Sequence, residues 1–186
     1  MSKSLLKKRC KWVPADDLQY VAYHDTEWGV AVHDDRLLFE MLNLEGAQAG
    51  LSWITVLRRR EGYRKAFVNF DAKKIAKFTE AKRGVLMQDT GIIRNRLKIQ
   101  AVVENAKAYL AVQKEFGTFD SYIWQFTSGT TIVRPSKKRG VEISEAMSRD
   151  LKKRGFRFVG PTICYAFMQA TGMINDHDKN CYKFFQ

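Results

Sequence analysis

The chain has 186 residues, 45% of them hydrophobic and only three of them proline, enough for one compact core. No apolar run approaches the roughly 20 residues of a membrane span, and the basic N-terminus lacks a signal peptide's apolar stretch, so neither membrane insertion nor export is expected. A net charge of +12, with clusters at Lys7-Lys8-Arg9, Arg58-Arg59-Arg60, Lys137-Lys138-Arg139 and Lys152-Lys153-Arg154, points to a polyanion such as nucleic acid as partner.

Helical periodicity dominates along the chain. Asp34 or Asp35 can cap a helix with apolar Leu37, Leu38, Met41 and Leu42, ending at Gly46. Ser52 can cap a short one carrying Trp53, Val56 and Leu57. Ala72–Phe78 and Ala81–Asp89 read as short helices. Ile99, Val102, Val103, Ala106, Tyr109 and Leu110 mark the longest, of about four turns or more. Phe119–Phe126 reads as an aromatic-rich helix. Only Thr130–Arg134 has strand character, and Ser128–Gly140 reads as a mobile loop. With no repeats and no linker, the expectation is an all-α single unit over residues 1–186, monomeric by default.

One segment is more specific. Ser144–Arg154 reads as a helix ending at Gly155, followed by the turn Gly155–Gly160 and a second helix opened by Pro161 and running to Gly172. This helix–turn–helix, about 144–172, would present the free amides of Thr162 and Ile163 and the Thr162 hydroxyl as a phosphate site, with Arg154 and Arg157 beside it. A plain helical hairpin is the alternative.

Cys10, His24, His177 and Cys181 have the chemistry of one tetrahedral site, each end of the chain supplying a thiolate and an imidazole. His177 and Cys181 are four apart, so one turn can aim both at one ion. Two buried cysteines and two core histidines are the competing reading. Cys164, inside an apolar run, reads as core. Unpaired cysteines suit a reducing cytoplasm.

Several motifs together resemble the DNA-3-methyladenine glycosylase I family. They are Cys10-x-Trp12, Tyr20-x-x-Tyr23-His24-Asp25-x-Glu27-Trp28-Gly29, and Leu44-Glu45-Gly46-x-Gln48-Ala49-Gly50-Leu51-Ser52-Trp53. Gly91-Ile92-Ile93-Arg94-x-Arg96-x-Lys98-Ile99, Lys152-Lys153-Arg154-Gly155-Phe156-x-Phe158-Val159-Gly160 and Asn175-Asp176-His177-x-x-x-Cys181 complete the set. The match runs in order over nearly the whole chain, least in Phe119–Gly140. It implies a helix-hairpin-helix fold that excises 3-methyladenine from double-stranded alkylated DNA. It also implies one structural zinc, and no catalytic metal, on Cys10, His24, His177 and Cys181.

The resemblance places Trp12, Tyr23 and Trp53 around the extruded base, with Tyr20 a further candidate ring. These electron-rich faces should favour a cationic base by up to about 2 kcal/mol. Glu45 follows Leu38 by seven and Met41 by four, so it lies on its helix's apolar face, where a carboxylate needs a partner or a job. The family's glutamate contacts the methylated base, and Glu45 is the expected catalytic residue. Leu51 matches the family's wedge into the vacated stack, with Gln48 beside it. Trp28 reads as core or as backing for the base-contacting rings, and Asp176 as a support for the neighbouring zinc ligand. No lysine lies between Lys153 and Lys179, so base release without strand cleavage is expected. A zinc deaminase would need His-x-Glu and Pro-Cys-x-x-Cys patterns, and neither occurs. A non-catalytic zinc-stapled DNA-binding module explains charge and metal but not an inward Glu45.

Overall fold

The computed structural model describes residues 7–184. The ends of the expected 1–186 unit, residues 1–6 and 185–186, lie outside the described residues.

Helix α1 (Leu18–Thr26) is capped by Asp17, and α2 (Asp35–Gln48) by Asp34, whose carboxylate accepts the Leu37 amide at 2.7 Å. Asp35 has another task. Its two oxygens accept the amides of Phe119 and Asp120 at 2.9 and 2.7 Å and so cap a later helix from a distance. Every residue from Leu38 to Ala47 is buried, making α2 the central post of the core. It runs two residues past Gly46, which is interior to the helix and abuts Phe158.

Four short helices follow: α3 (Trp53–Leu57), α4 (Arg60–Ala66), α5 (Ala72–Ile75) and α6 (Glu80–Leu86). Ser52 precedes α3, but its hydroxyl pairs with Thr55 Oγ1 at 2.7 Å instead of capping the backbone. Helix α7 (Arg96–Phe116) spans 21 residues and buries Ile99, Val102, Val103, Ala106, Tyr109 and Val112 against α2 and α5. Each valine or isoleucine among them, withdrawn from water, contributes about 1.5–3 kcal/mol. Helix α8 (Phe119–Ile123) continues as one 3-10 turn through Thr127.

A two-stranded parallel sheet pairs β1 (Ile132–Val133) with β2 (Ile174–Asn175), confirming the strand character around Thr130–Arg134. The expected loop Ser128–Gly140 is shorter than its composition suggests. Ser136 caps at the Arg139 amide, so Lys137–Gly140 already belong to α9 (Lys137–Lys153), seven residues before the expected start at Ser144. Helix α10 (Pro161–Ala170) lies between α9 and α2. The termini are tied together: Tyr182 N donates to Lys8 O at 2.8 Å, and Lys11 N to Asp178 Oδ2 at 2.7 Å. The chain is mostly helical, and no helix among the described residues is long and apolar enough to cross a membrane.

Candidate active site and metal centre

Helices α1, α2, α3 and α10 enclose a cleft of about 360 Å³ lined by Trp12, Tyr20, Tyr23, Trp28, Glu45, Gln48, Trp53, Ala166, Gln169, Asp176 and Asp178. That volume lies in the usual range of small-ligand clefts, roughly 300–1,000 Å³. All of the expected base-contacting residues meet here, from four separate segments.

Glu45 is 3% exposed, and its Oε2 has no hydrogen-bond partner. Loss of water pushes its carboxyl up to about 8, because no cation compensates the buried negative form. The same cleft holds an orphaned donor: Trp53 Nε1 is buried and unpartnered. The Trp53 and Tyr23 rings lie 5.3 Å apart at 44°. Across from them Trp12 packs against Tyr20 at 5.2 Å and edge-on against Trp28 at 5.0 Å. The result is a cleft with aromatic faces, one unpaired acceptor and one unpaired donor. Such buried polar atoms cost about 1–3 kcal/mol each until a ligand pairs with them.

Behind the Trp12 and Trp28 wall lie Cys10, His24, His177 and Cys181, all buried, their ligand atoms within 4.8 Å of one another. Cys10 Sγ is 3.4 Å from His177 Nδ1, and Cys181 Sγ is 3.4 Å from His24 Nε2 and 3.5 Å from His177 Nδ1. Sulfur and nitrogen held tetrahedrally at zinc bond lengths sit about 3.5 Å apart, so the donor set and its spacing fit one metal ion. Burial pushes the Cys10 thiol up to about 12 and His177 down to about 4, so unaided the pocket favours neutral donors. A divalent cation is what would make the thiolates stable there. Rings couple the two sites: Trp28 lies edge-on to His177 at 4.6 Å, and Trp12 packs on His24 at 5.4 Å.

Several residues hold roles the sequence did not show. His24 Nδ1 is hydrogen-bonded to Asp25 Oδ1 at 2.9 Å, and Asp25 takes both arms of Arg9 at 2.8 and 2.7 Å. Burial alone would raise the Asp25 carboxyl, but hydrogen bonds from Arg9 and His24 outweigh it and hold it well below the carboxylate range. Asp25 therefore orients the His24 imidazole within the group that could hold a metal. Asp176, expected in that role, accepts instead from Gln169 at 2.9 Å and Tyr165 at 3.1 Å at the cleft mouth. Trp28 is more than a core residue, since it lines the cleft while packing on His177. Below α1, buried Arg60 joins Glu27 and Glu40 at 2.5 Å each, fixing the segment that carries Tyr23.

The expected DNA-facing residues divide. Leu51 is 41% exposed at a turn where Gly50 takes φ +75°, and Gln48 lines the cleft just before it. That turn demands glycine, since a side chain at such a φ is strained. Gly160 stands at the N-cap of α10 without a side-chain cap, and Thr162 is exposed in its first turn, leaving the helix amides open. Arg157 reaches out to Glu104 at 2.9 Å. Arg154 does not stand free beside that end: it is taken by Glu115 at 2.7 Å and Asp150 at 2.8 Å and lies over the Phe116 ring. It braces the hairpin.

The model of the family described as methyladenine glycosylase matches residues 12–184. A DNA-3-methyladenine glycosylase of Haemophilus influenzae is 50% identical over 178 residues, covering 93% of this chain and 96% of that one. A crystal structure of a 3-methyladenine DNA glycosylase I superimposes with a TM-score of 0.89 at 49% identity, over 95% of this chain and 99% of the other. A 3-methyladenine DNA glycosylase I from Staphylococcus aureus, solved to define 3-methyladenine recognition, does so at 0.85 and 33% identity, over 90% and 92%.

Proposed function

Because the chain belongs to the methyladenine glycosylase family, we propose that this cleft receives 3-methyladenine extruded from alkylated double-stranded DNA and that the protein hydrolyses its N-glycosidic bond. The single observation that carries this reading is Glu45: a buried, unpaired carboxylate among indole and phenol rings. Still attached to the sugar, 3-methyladenine is cationic, and it presents amino donors and a ring-nitrogen acceptor that suit Glu45 Oε2 and Trp53 Nε1. Its positive charge replaces the missing counter-ion and favours the ionised form of Glu45, whose proton passes to solvent as the base enters. As the bond from C1′ to the base breaks, the bonding pair enters the ring and cancels its charge. The base leaves neutral, with no acid needed. Positive charge passes to the sugar, where the buried Glu45 carboxylate still stabilises it. Water then bonds to C1′ and gives a proton to solvent. The cleft lining includes no lysine, which accords with base release without strand cleavage.

Leu51 and Gln48 would fill the vacated stack, while the α10 amides at Gly160 and Thr162, with Arg157 beside them, would grip the backbone. The α9–α10 pair is then a DNA-binding helix-hairpin-helix. Zinc on Cys10, His24, His177 and Cys181 would supply a closed structural cross-link between the chain ends, with no position open for water. We read the whole chain as one monomeric unit acting in the cytoplasm, where its thiols stay reduced.

The test is to incubate methylated duplex DNA with the protein and measure the bases released. Free 3-methyladenine is expected from the parent protein, at a rate roughly 10²-fold above that of Glu45→Gln. Equal rates, or no release by the parent, would overturn the assignment.

A further inference from the structure

The segment Gly91–Ile99 contributes nothing to the cleft or the metal set. Its residues instead build an anchor and a reach. Gly91 packs so closely on Gly62 that a Cβ there would come within 2.2 Å of the Gly91 carbonyl oxygen, and Ile93 N donates to the Tyr63 hydroxyl at 3.3 Å. Asn95 then caps α7, and Lys98, in its first turn, donates from Nζ to the carbonyls of Ala47 at 2.8 Å and Ala49 at 2.6 Å. Those carbonyls belong to the last turn of α2 and to its C-cap, just before the Gly50–Leu51 turn.

Two turns further along the same face of α7 stands Asn105, 2% exposed. Its Oδ1 accepts the Arg157 amide at 2.7 Å, and its Nδ2 donates to the Arg157 carbonyl at 3.2 Å and to Asn43 Oδ1 at 2.9 Å. Asn43 completes the chain by donating to Phe39 O at 2.8 Å. The carboxamide thus clamps both backbone groups of a hairpin-turn residue and ties them to α2 two residues before Glu45. Gly46 closes the joint, since a Cβ there would meet the Phe158 Cβ and carbonyl at 3.2 Å.

We propose that Lys98 and Asn105 are positioning residues for base extrusion, Lys98 setting the Leu51 turn and Asn105 the hairpin turn at fixed separations from Glu45. The inference rests on the glycosylase reading. An extruded nucleotide must satisfy three points at once: its backbone at the hairpin, the vacated stack at Leu51, and its base at Glu45. A frame loose by about 1 Å at one point can cost about 10² in rate without weakening binding at the others.

Three variants test this. Lys98→Met removes the donor and keeps the apolar stem. Asn105→Ala opens the clamp. Gly46→Ala pushes Phe158 off α2 while leaving both sets of donors in place, and it replaces a helical glycine by a better helix former, so it folds even where Asn105→Ala does not. Free 3-methyladenine binding is followed by tryptophan fluorescence, and single-turnover release from methylated duplex is followed as protein concentration rises. Each folded variant should bind free base within about twofold of the parent and half-saturate within about threefold, yet lose at least about tenfold in maximal rate. Maximal rates within about threefold of the parent would overturn the proposal. So would base affinity falling in step with rate, because that marks general damage to the pocket. If the parent itself releases no 3-methyladenine, the glycosylase reading has failed, whatever the variants do.

Discussion

Glu45 Oε2 and Trp53 Nε1 face one cleft from successive helices, α2 and α3, each buried and each without a hydrogen-bond partner. One is an acceptor and the other a donor, and the ring of Tyr23 stands beside Trp53. Buried polar atoms are rarely left unpaired, because desolvation without a partner opposes folding, and inside a cleft a ligand can complete them. Stability is therefore surrendered at the place where recognition is needed, and that trade can be measured.

Glu45→Gln should stabilise the protein in alkaline solution. The folded carboxyl, raised to about 8 from an ordinary 4.5, holds a proton that the unfolded chain has already lost. Between those values the native state binds more protons, so this group's contribution to stability falls as pH rises and levels off above about 8. Denaturant melts at pH 5 and pH 8.5 should show the variant gaining a few kcal/mol over the parent at the higher pH and little at the lower. An equal difference at both would contradict a buried proton.

Excision should follow the same ionisation. Below about pH 8 the empty pocket carries a neutral carboxyl, which attracts a cationic base less than the carboxylate does. The kcat/KM for methylated DNA, which reports the free enzyme, should climb towards about pH 8 and then level. In Glu45→Gln that limb should vanish and leave a flat, low profile. A limb that survives the substitution belongs to another group.

Metal removal should act on both centres. Elemental analysis is expected to find one zinc per chain. Chelation under mild denaturant should lower the melting temperature by roughly ten degrees or more, as the loss of several kcal/mol requires at this size. Because Trp12 and Trp28 pack on His24 and His177, free-base binding should weaken with it. Cys181→Ser should reproduce both effects in the absence of chelator. A metal-free protein with unchanged melting would remove the cross-link from the account.

Leu51→Ala should separate extrusion from recognition. The side chain is exposed and outside the pocket lining, so free 3-methyladenine should bind as before. Excision from duplex should fall roughly 10- to 10²-fold, the worth of one leucine buried in a base stack. A matching loss in free-base affinity would place Leu51 in the pocket instead.

Most of the helices, a capping aspartate at 34 or 35, the inward face of Glu45 and the two-ended Cys and His set were legible because each follows from local periodicity or residue chemistry, whereas α1 and α4 carry no such pattern. Lys137–Gly140 were misread as loop, since a Ser/Gly/Lys-rich stretch hides a helix whose start depends on the single cap at Ser136. Asp176 was mistaken for the support of a metal ligand because sequence adjacency to His177 says nothing about direction. Asp25, equally adjacent to His24, is the one whose carboxylate turns inward.

What the sequence determined by itself was which chemistry the chain could perform, because a carboxylate, aromatic rings, thiolates and imidazoles declare themselves by type and spacing. Which of them converge was decided only in three dimensions. Arg154, cationic in any reading, is neutralised by Glu115, 39 residues away, and Lys98 finds its acceptors on Ala47 and Ala49. Such partners are set by helix packing, and the pairing energies that select them depend on distances no linear pattern encodes.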